Sequence, residues 1–173
     1  MRVTWIAFPL HPETPPDGRT LDDLFAGRPI NVRDMVRQLR RTADDLGLPF
    51  GNRTMTYNSR LAQELSKWAA EKGLEATYGQ AVFRAYFADG LNIGDPGTLV
   101  DLATGIGLSA GEAERVLRER TYRDAVDQDW ALAMQMGVTA VPTFVLNGRA
   151  IVGAQPLSVL ERFIEEGGVP RKI

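Results

Sequence analysis

The sequence predicts an α/β chain in which two short β-containing ends enclose a run of helices. Three observations carry that reading. The stretch Gly137–Gln155 holds a hairpin signature. Between residues 31 and 136, apolar residues recur at helical spacing, punctuated by glycines and an Asp-Pro pair. The N-terminal run Val3–Phe8 is almost continuously apolar and reads as a strand covered on both faces.

Taken in order, Pro9 ends the first strand. The segment Pro9–Gly18 holds four of the chain's ten prolines and must be a loop. His11 lies in it and reads as an exposed histidine rather than a catalytic one, since no partner is evident. A helix is expected over Asn31–Leu46, its face formed by Val32, Met35, Val36, Leu39, Ala43 and Leu46, with Gly47 placed to end it. Gly51–Asn58 is polar and turn-like. Ser59–Lys72 gives a second amphipathic helix through Leu61, Leu65, Trp68 and Ala69, and Gly73 stops it. Thr77–Asp89 gives a third, with Val82, Phe83 and Tyr86 on one face.

Asp95-Pro96 starts the next helix, an N-cap acceptor followed by a proline where the missing N–H costs nothing. Leu99, Leu102, Ala103 and Ile106 continue it. Ser109 and Glu112 have the spacing of a capping box and open another helix through Ala113, Val116 and Leu117. A long helix follows from Tyr122 to Met136, with Val126, Trp130, Ala133 and Met134 inward. Gly137 ends that periodicity, and the turn Val138–Val141 runs into Pro142, which marks the start of a strand because it has no N–H for a ladder. Thr143–Leu146 is the strand. Asn147-Gly148 supplies the two positive-φ positions of a type I′ turn, and Ala150–Val152 returns. Gln155-Pro156 then opens a terminal helix with Leu157, Leu160, Phe163 and Ile164 facing in, ended by Gly167-Gly168.

Composition bounds the chemistry. With 173 residues, 44% of them hydrophobic and 24% charged, the chain is an ordinary globular one, a single domain or a domain carrying an insertion. A net charge of −2 recommends neither a nucleic-acid nor an anionic-membrane partner. No apolar run approaches the roughly 20 residues of a membrane helix, and no signal-peptide pattern opens the chain, so a cytoplasmic location is the expectation. Cysteine is absent, which removes thiolate chemistry and cysteine metal sites from this polypeptide. One histidine makes a conventional zinc site improbable and leaves no Ser–His–carboxylate relay. The adjacent pairs Asp22-Asp23, Asp44-Asp45 and Glu165-Glu166 diverge on a helix and read as solvated charge. Gly105-Ile106-Gly107 lacks the strand–turn–helix setting of a dinucleotide site and is explained by capping. No cofactor, no metal site and no catalytic residue is expected.

The pattern Val141-Pro142-Thr143-Phe144-Val145-x-Asn147-Gly148, with Gly153-Ala154-Gln155 and a terminal helix, resembles the cis-proline loop of DsbA-like thioredoxin-fold proteins. The resemblance is to the branch that includes the FrnE-type proteins and the 2-hydroxychromene-2-carboxylate isomerases. Two further stretches are similar: Phe8–Pro15, and Val82–Asp95 with its Phe-x-Ala-Tyr-Phe and Gly-x-x-Ile-x-Asp elements. The resemblance implies an α/β fold, a thioredoxin-like core incomplete at the N-terminus (1–30 and 121–173) carrying an inserted all-helical domain (31–120). It implies a cis bond at Pro142 and a substrate-binding loop of Thr139, Ala140, Val141 and Pro142. It implies thiol–disulfide oxidoreductase ancestry, or glutathione-dependent isomerase ancestry, and a polypeptide or small-thiol substrate.

The family's first strand and its Cys-x-x-Cys helix have no counterpart here, because the chain opens on what looks like the second strand. The expected polypeptide is therefore a shortened oxidoreductase, a shortened isomerase relative, or a non-catalytic peptide-binding module. Without a central strand, Val3–Phe8 should either pair directly with Thr143–Leu146 or leave edges that invite a second copy, a possible homodimer.

Overall fold

The computed structural model describes residues 3–169. The chain divides into two compact units, one formed by the ends up to Leu10 and from Asp127, the other by His11–Val126.

The middle unit is helical around a single apolar core. A two-residue strand β1 (Arg19–Thr20) pairs antiparallel with β2 (Met55–Thr56), Arg19 opposite Thr56. The Thr20 hydroxyl accepts the Asp23 N–H at 3.0 Å and caps the short helix α1 (Leu21–Leu24). Helix α2 (Val32–Asp45) is capped by Asn31, whose side chain accepts from the Asp34 N–H. Helices α3 (Arg60–Glu71), α4 (Glu75–Phe87), α5 (Pro96–Gly105) and α6 (Ala110–Glu119) follow. Leu65, Trp68 and Ala69 of α3, Tyr78 and Val82 of α4, Leu99 and Ala103 of α5, and Ala113 and Leu117 of α6 fuse into one cluster. Each stripe finds a complementary stripe, which supplies most of a short helix's stability in water.

Two caps fix the helix starts in this unit. Asp95 accepts the Thr98 N–H at 2.7 Å with Pro96 in the first turn. Ser109 accepts the Glu112 N–H at 3.4 Å, while the Glu112 carboxylate pairs with Lys72, the C-cap of α3, at 3.0 Å. Between α2 and β2 the backbone passes so close to the end of α4 that a Cβ on Gly51 would lie 2.1 Å from the Ala88 carbonyl oxygen. Only glycine fits there.

Helix α7 (Arg123–Gln135) runs across the division between the units. In the end unit, β3 (Thr143–Leu146) and β4 (Arg149–Val152) form a hairpin with Thr143 opposite Val152 and Leu146 opposite Arg149. Asn147 and Gly148 both have positive φ, 51° and 76°, as a type I′ turn requires. Helix α8 (Leu157–Glu166) is tied to the hairpin by three contacts. Asn147 donates to the Gly167 carbonyl, Arg149 pairs with Glu166 at 2.7 Å, and the Arg149 guanidinium lies over the Phe163 ring. The hydrogen bond from Arg149 holds the Glu166 carboxyl below the usual carboxylate range.

Several sequence expectations differ from the structure. Val3–Phe8 joins no sheet; each sheet among the described residues has two strands, β1 with β2 and β3 with β4. An apolar β-prone run becomes a strand only where a ladder partner stands beside it, and Thr143–Leu146 is not that partner. One contact that holds the segment is to a carboxylate: the Ala7 N–H donates to Asp129 Oδ2 of α7 at 2.7 Å. The turn-like Gly51–Asn58 contributes β2. Phe83, Leu39, Met134 and Leu157, expected on inner faces, are 53%, 43%, 65% and 71% exposed. His11 is half-buried with its Nδ1 3.8 Å from Glu13.

Candidate functional site

The loop that precedes β3 is shaped from both sides. Upstream, α7 closes with Gly137 at φ 69°, its N–H donating to the Met134 carbonyl and that of Val138 to the Ala133 carbonyl. Those two bonds satisfy the last carbonyls of the helix and turn the chain away from its axis. Downstream, the Thr143 hydroxyl donates back to the Ala140 carbonyl at 2.6 Å, and the Gly153 N–H donates to the Pro142 carbonyl at 2.8 Å. Both ends of Thr139–Pro142 are thus anchored, one to a helix terminus and one to the hairpin.

Within the loop, Thr139, Ala140, Val141 and Pro142 are all exposed, and the Val141–Pro142 peptide bond is cis. Val141 is 44% exposed, and among the described residues neither its N–H nor its C=O makes a hydrogen bond. An unbonded donor and acceptor on one exposed residue, beside an apolar side chain, can receive an extended backbone. They offer no group that could act as nucleophile, acid or base.

No titratable group completes a reactive site around this loop. Asp129 of α7 is buried and occupied with the Ala7 N–H. Among the described residues no three His, Asp or Glu side chains gather as metal ligands, and no helix is long and apolar enough to cross a membrane.

The middle unit holds two ionic features, one buried and one half-buried, that the sequence reading passed over. Glu64 of α3 is 1% exposed. Its Oε1 accepts Arg60 Nε and one terminal Arg120 nitrogen, its Oε2 accepts Arg120 Nε, and all three distances are 2.7 Å. Burial pushes its pKa up, yet the hydrogen bonds and charges of Arg120 and Arg60 outweigh that and hold it below the usual carboxylate range. Arg120 itself adopts a left-handed conformation, φ 53°, at the end of α6. The signal was present in sequence: Glu64 falls on the inner stripe of α3 beside Leu61, Leu65 and Trp68, with Arg60 four residues before it. A charged residue on an apolar stripe demands a partner.

The second feature is Arg53. Its side chain donates to the Met55 carbonyl and the Tyr86 hydroxyl and lies over the Tyr86 and Phe87 rings. It lines a cleft of about 70 Å³ with Gly51, Asn52 and Phe87–Gly90. Asp89 is in that lining, and its carboxylate pairs with Arg84 at 3.8 Å.

The domain family that fits these elements is the DSBA-like thioredoxin domain, which matches residues 1–165. The chain belongs to that family. It is 30% identical over 169 residues to the protein YwbO of Bacillus subtilis (strain 168), covering 96% of this chain and 82% of that one. It is also similar to a crystal structure of a probable DsbA oxidoreductase from Streptomyces coelicolor, with a TM-score of 0.87 and 29% identity. That match covers 97% of this chain and 76% of the other. The fold is accordingly a thioredoxin-like α/β fold rich in helices and poor in strands, and the family is one of oxidoreductases.

Proposed function

We propose that this polypeptide carries the substrate-recognising side of a DsbA-family thiol–disulfide oxidoreductase and performs no disulfide exchange by itself. The observation behind this reading is the exposed, unbonded backbone of Val141 in a loop anchored at both ends. Its ligand is an extended polypeptide segment, whose own N–H and C=O pair with those of Val141 while Thr139 and Ala140 flank the contact. Attack on a disulfide needs a thiolate, and the chain has no cysteine to supply one. The glutathione-dependent isomerase alternative needs a nucleophile or thiol cradle that no residue here supports, which favours the peptide.

One such backbone pair contributes about 1–3 kcal/mol, because each hydrogen bond nets about 0.5–1.5 kcal/mol against water. Binding is therefore weak and is best seen by amide chemical shifts of labelled protein titrated with an unfolded, thiol-blocked polypeptide. Shifts centred on Val141 and Thr143 are expected, with no insulin-reductase turnover above the buffer blank. Shifts confined to the middle unit, or turnover by mass-verified protein, would overturn the reading.

A further inference from the structure

A guanidinium taken partly out of water needs acceptors for its N–H groups, and an anion is the partner that also offsets its charge. Arg53 is half-buried, and its hydrogen-bond partners are all neutral. Its Nε donates to the Met55 carbonyl at 3.1 Å and its Nη2 to the Tyr86 hydroxyl. That hydroxyl shares a further hydrogen bond of 2.9 Å with the Thr56 hydroxyl. Among the described residues no carboxylate forms an ion pair with Arg53. Burial lowers its pKa by more than Tyr86 restores. Nε and Nη2 share one edge of the planar group, so both bonds fall on that edge. The end-on fork of Nη1 and Nη2 keeps its donors, since Nη1 makes no hydrogen bond among the described residues.

The cleft that Arg53 lines has fixed walls. The Gly51 N–H donates to the Phe87 carbonyl at 2.8 Å, and the Phe50 and Phe87 rings stack with centroids 6.2 Å apart. Beyond α4 the chain turns at Gly90, φ 69°, and the Leu91 N–H returns to the Ala85 carbonyl at 2.8 Å. The guanidinium carbon lies 4.3 Å from the Tyr86 ring centroid and 5.2 Å from that of Phe87. Those rings hold the planar group in place before anything binds, which lowers the ordering cost of a ligand. Asn52 and Gly90 also line the cleft, and their backbone N–H groups make no hydrogen bond among the described residues. Its volume of about 70 Å³ is far below the roughly 300–1,000 Å³ of a pocket for a whole small molecule. It suits one end of a molecule. Asp89 and the α4 C-cap Ala88 belong to the lining as well, and both disfavour negative charge in proportion to its amount. Arg84, 3.8 Å from Asp89, offsets part of that repulsion. A guest with one negative charge is therefore preferred to one with two.

We propose that this cleft binds a carboxylate, the unused Nη1–Nη2 fork of Arg53 donating two parallel hydrogen bonds to its two oxygens. Guanidinium and carboxylate are both planar, and the spacing of the fork matches that of the oxygens, which makes this pairing strong and directional. A carboxylate also carries the single charge that Asp89 tolerates, whereas sulfate or phosphate would meet about twice the repulsion. The Asn52 and Gly90 N–H groups are the further donors of the same lining. A small organic acid and the C-terminus of a peptide present this same chemistry. The site lies in the middle unit and uses nothing of the loop at Val141, so its test reads different residues.

The experiment titrates the full, isotope-labelled chain at neutral pH and constant ionic strength with sodium acetate, N-acetylglycine, N-acetylglycinamide and sodium sulfate. The readouts are the amide shifts of Asn52, Arg53 and Gly90 and the shift of the Arg53 Nε–H. Acetate and N-acetylglycine should saturate these shifts at millimolar concentration, and the uncharged amide should not move them. Sulfate should bind about tenfold or more weakly than acetate, because Asp89 repels its second charge. N-acetylglycine binding about tenfold more tightly than acetate assigns the site to a peptide terminus, and equal affinity assigns it to a small acid. Arg53→Lys keeps the charge and loses the fork, and should weaken acetate by about tenfold or more. Because Arg53 also braces Tyr86, a second variant acts on charge alone. Asp89→Asn, at an exposed position, should tighten acetate by about threefold and sulfate by about the square of that factor. The absence of a saturable shift at these groups overturns the proposal. So does sulfate binding more tightly than acetate, or the amide binding as well as N-acetylglycine. Acetate affinity unchanged in Arg53→Lys, or in Asp89→Asn, overturns it equally.

Discussion

Replacing Glu64 by glutamine should unfold the helical unit more readily, and the size of the effect follows from where its partners are. Glu64 is 1% exposed, Arg60 15% and Arg120 42%. Removing one member of a buried ion pair costs about 3–5 kcal/mol, because the partner is left charged and dry. Here the two partners differ. Arg120 is open enough to regain water once released, so it contributes little to the penalty. Arg60 is not, although its bond to the Arg123 carbonyl remains. Arg60 keeps other partners and Arg120 regains water, which places the cost at the lower end, about 3 kcal/mol. Arg120 keeps its φ of 53° in the variant, because as the C-cap of α6 its own N–H is bonded to the Val116 carbonyl.

The same pair predicts a pH dependence. The folded-state pKa of Glu64 is depressed, so its contribution is fully present above the unfolded value, about 4.3, and is lost as pH falls through the folded value. The glutamine variant has no such group to protonate. The stability difference between native and variant should be full at about pH 7 and should shrink on acidification below about pH 4. Urea unfolding read by Trp68, which is 4% exposed in the same core, with Trp5 and Trp130 replaced by phenylalanine, measures both quantities. A difference below about 1 kcal/mol at neutral pH, the range of an exposed pair, would refute the buried-triad account. So would a difference that does not change with pH.

Three further outcomes are expected. Gly51→Ala should destabilise the helical unit by about 1–3 kcal/mol in urea, since the new methyl would meet the Ala88 carbonyl at 2.1 Å and backbone must yield. Asp95→Ala should cost about 1 kcal/mol of thermal stability by freeing the Thr98 N–H and hydroxyl it accepts, with Asp95→Ser recovering much of the loss. Asp129→Ala should raise hydrogen exchange at the Ala7 amide by about tenfold or more, because a hydrogen bond to a charged group contributes about 1.5–3 kcal/mol; unchanged exchange there would mean the carboxylate does not hold the segment.

The helical unit was legible because its signals are local. Asn31, Asp95 and Ser109 announce helix starts with a side chain that reaches an N–H three residues on, whatever lies elsewhere. Asn147-Gly148 likewise dictates its turn through its own backbone. What the sequence did not reveal depends on distant partners. Glu64 is buried because of Arg120, far along the chain, and β2 exists because Arg19–Thr20 comes alongside it. Val3–Phe8 has the composition of a strand and no strand beside it. Periodicity reports which residues would prefer to be inside, not whether there is an inside for them, and Met134 and Leu157 stand exposed for that reason.

The loop Thr139–Pro142 and the edge of β3 are parts of one consequence. A two-stranded hairpin in isolation is marginal in water, and three strands or a covering helix are usually needed for independent stability. In the end unit α8 covers one face of the hairpin, through Arg149, Leu146 and Phe163, and gives it that support. The other face carries Val145 and Val152, which remain exposed, and the β3 edge beside it keeps its donors and acceptors. Such groups lose nothing while water reaches them, since the penalty falls only on polar groups that are both buried and unpaired. Specificity at such an edge comes from the side chains that flank it. On β3 those are Phe144 and Val145, and at the loop Val141; each is apolar and exposed. In the proposed reading, recognition at the loop is backbone pairing at Val141 edged by small apolar contacts, and it needs no reactive side chain.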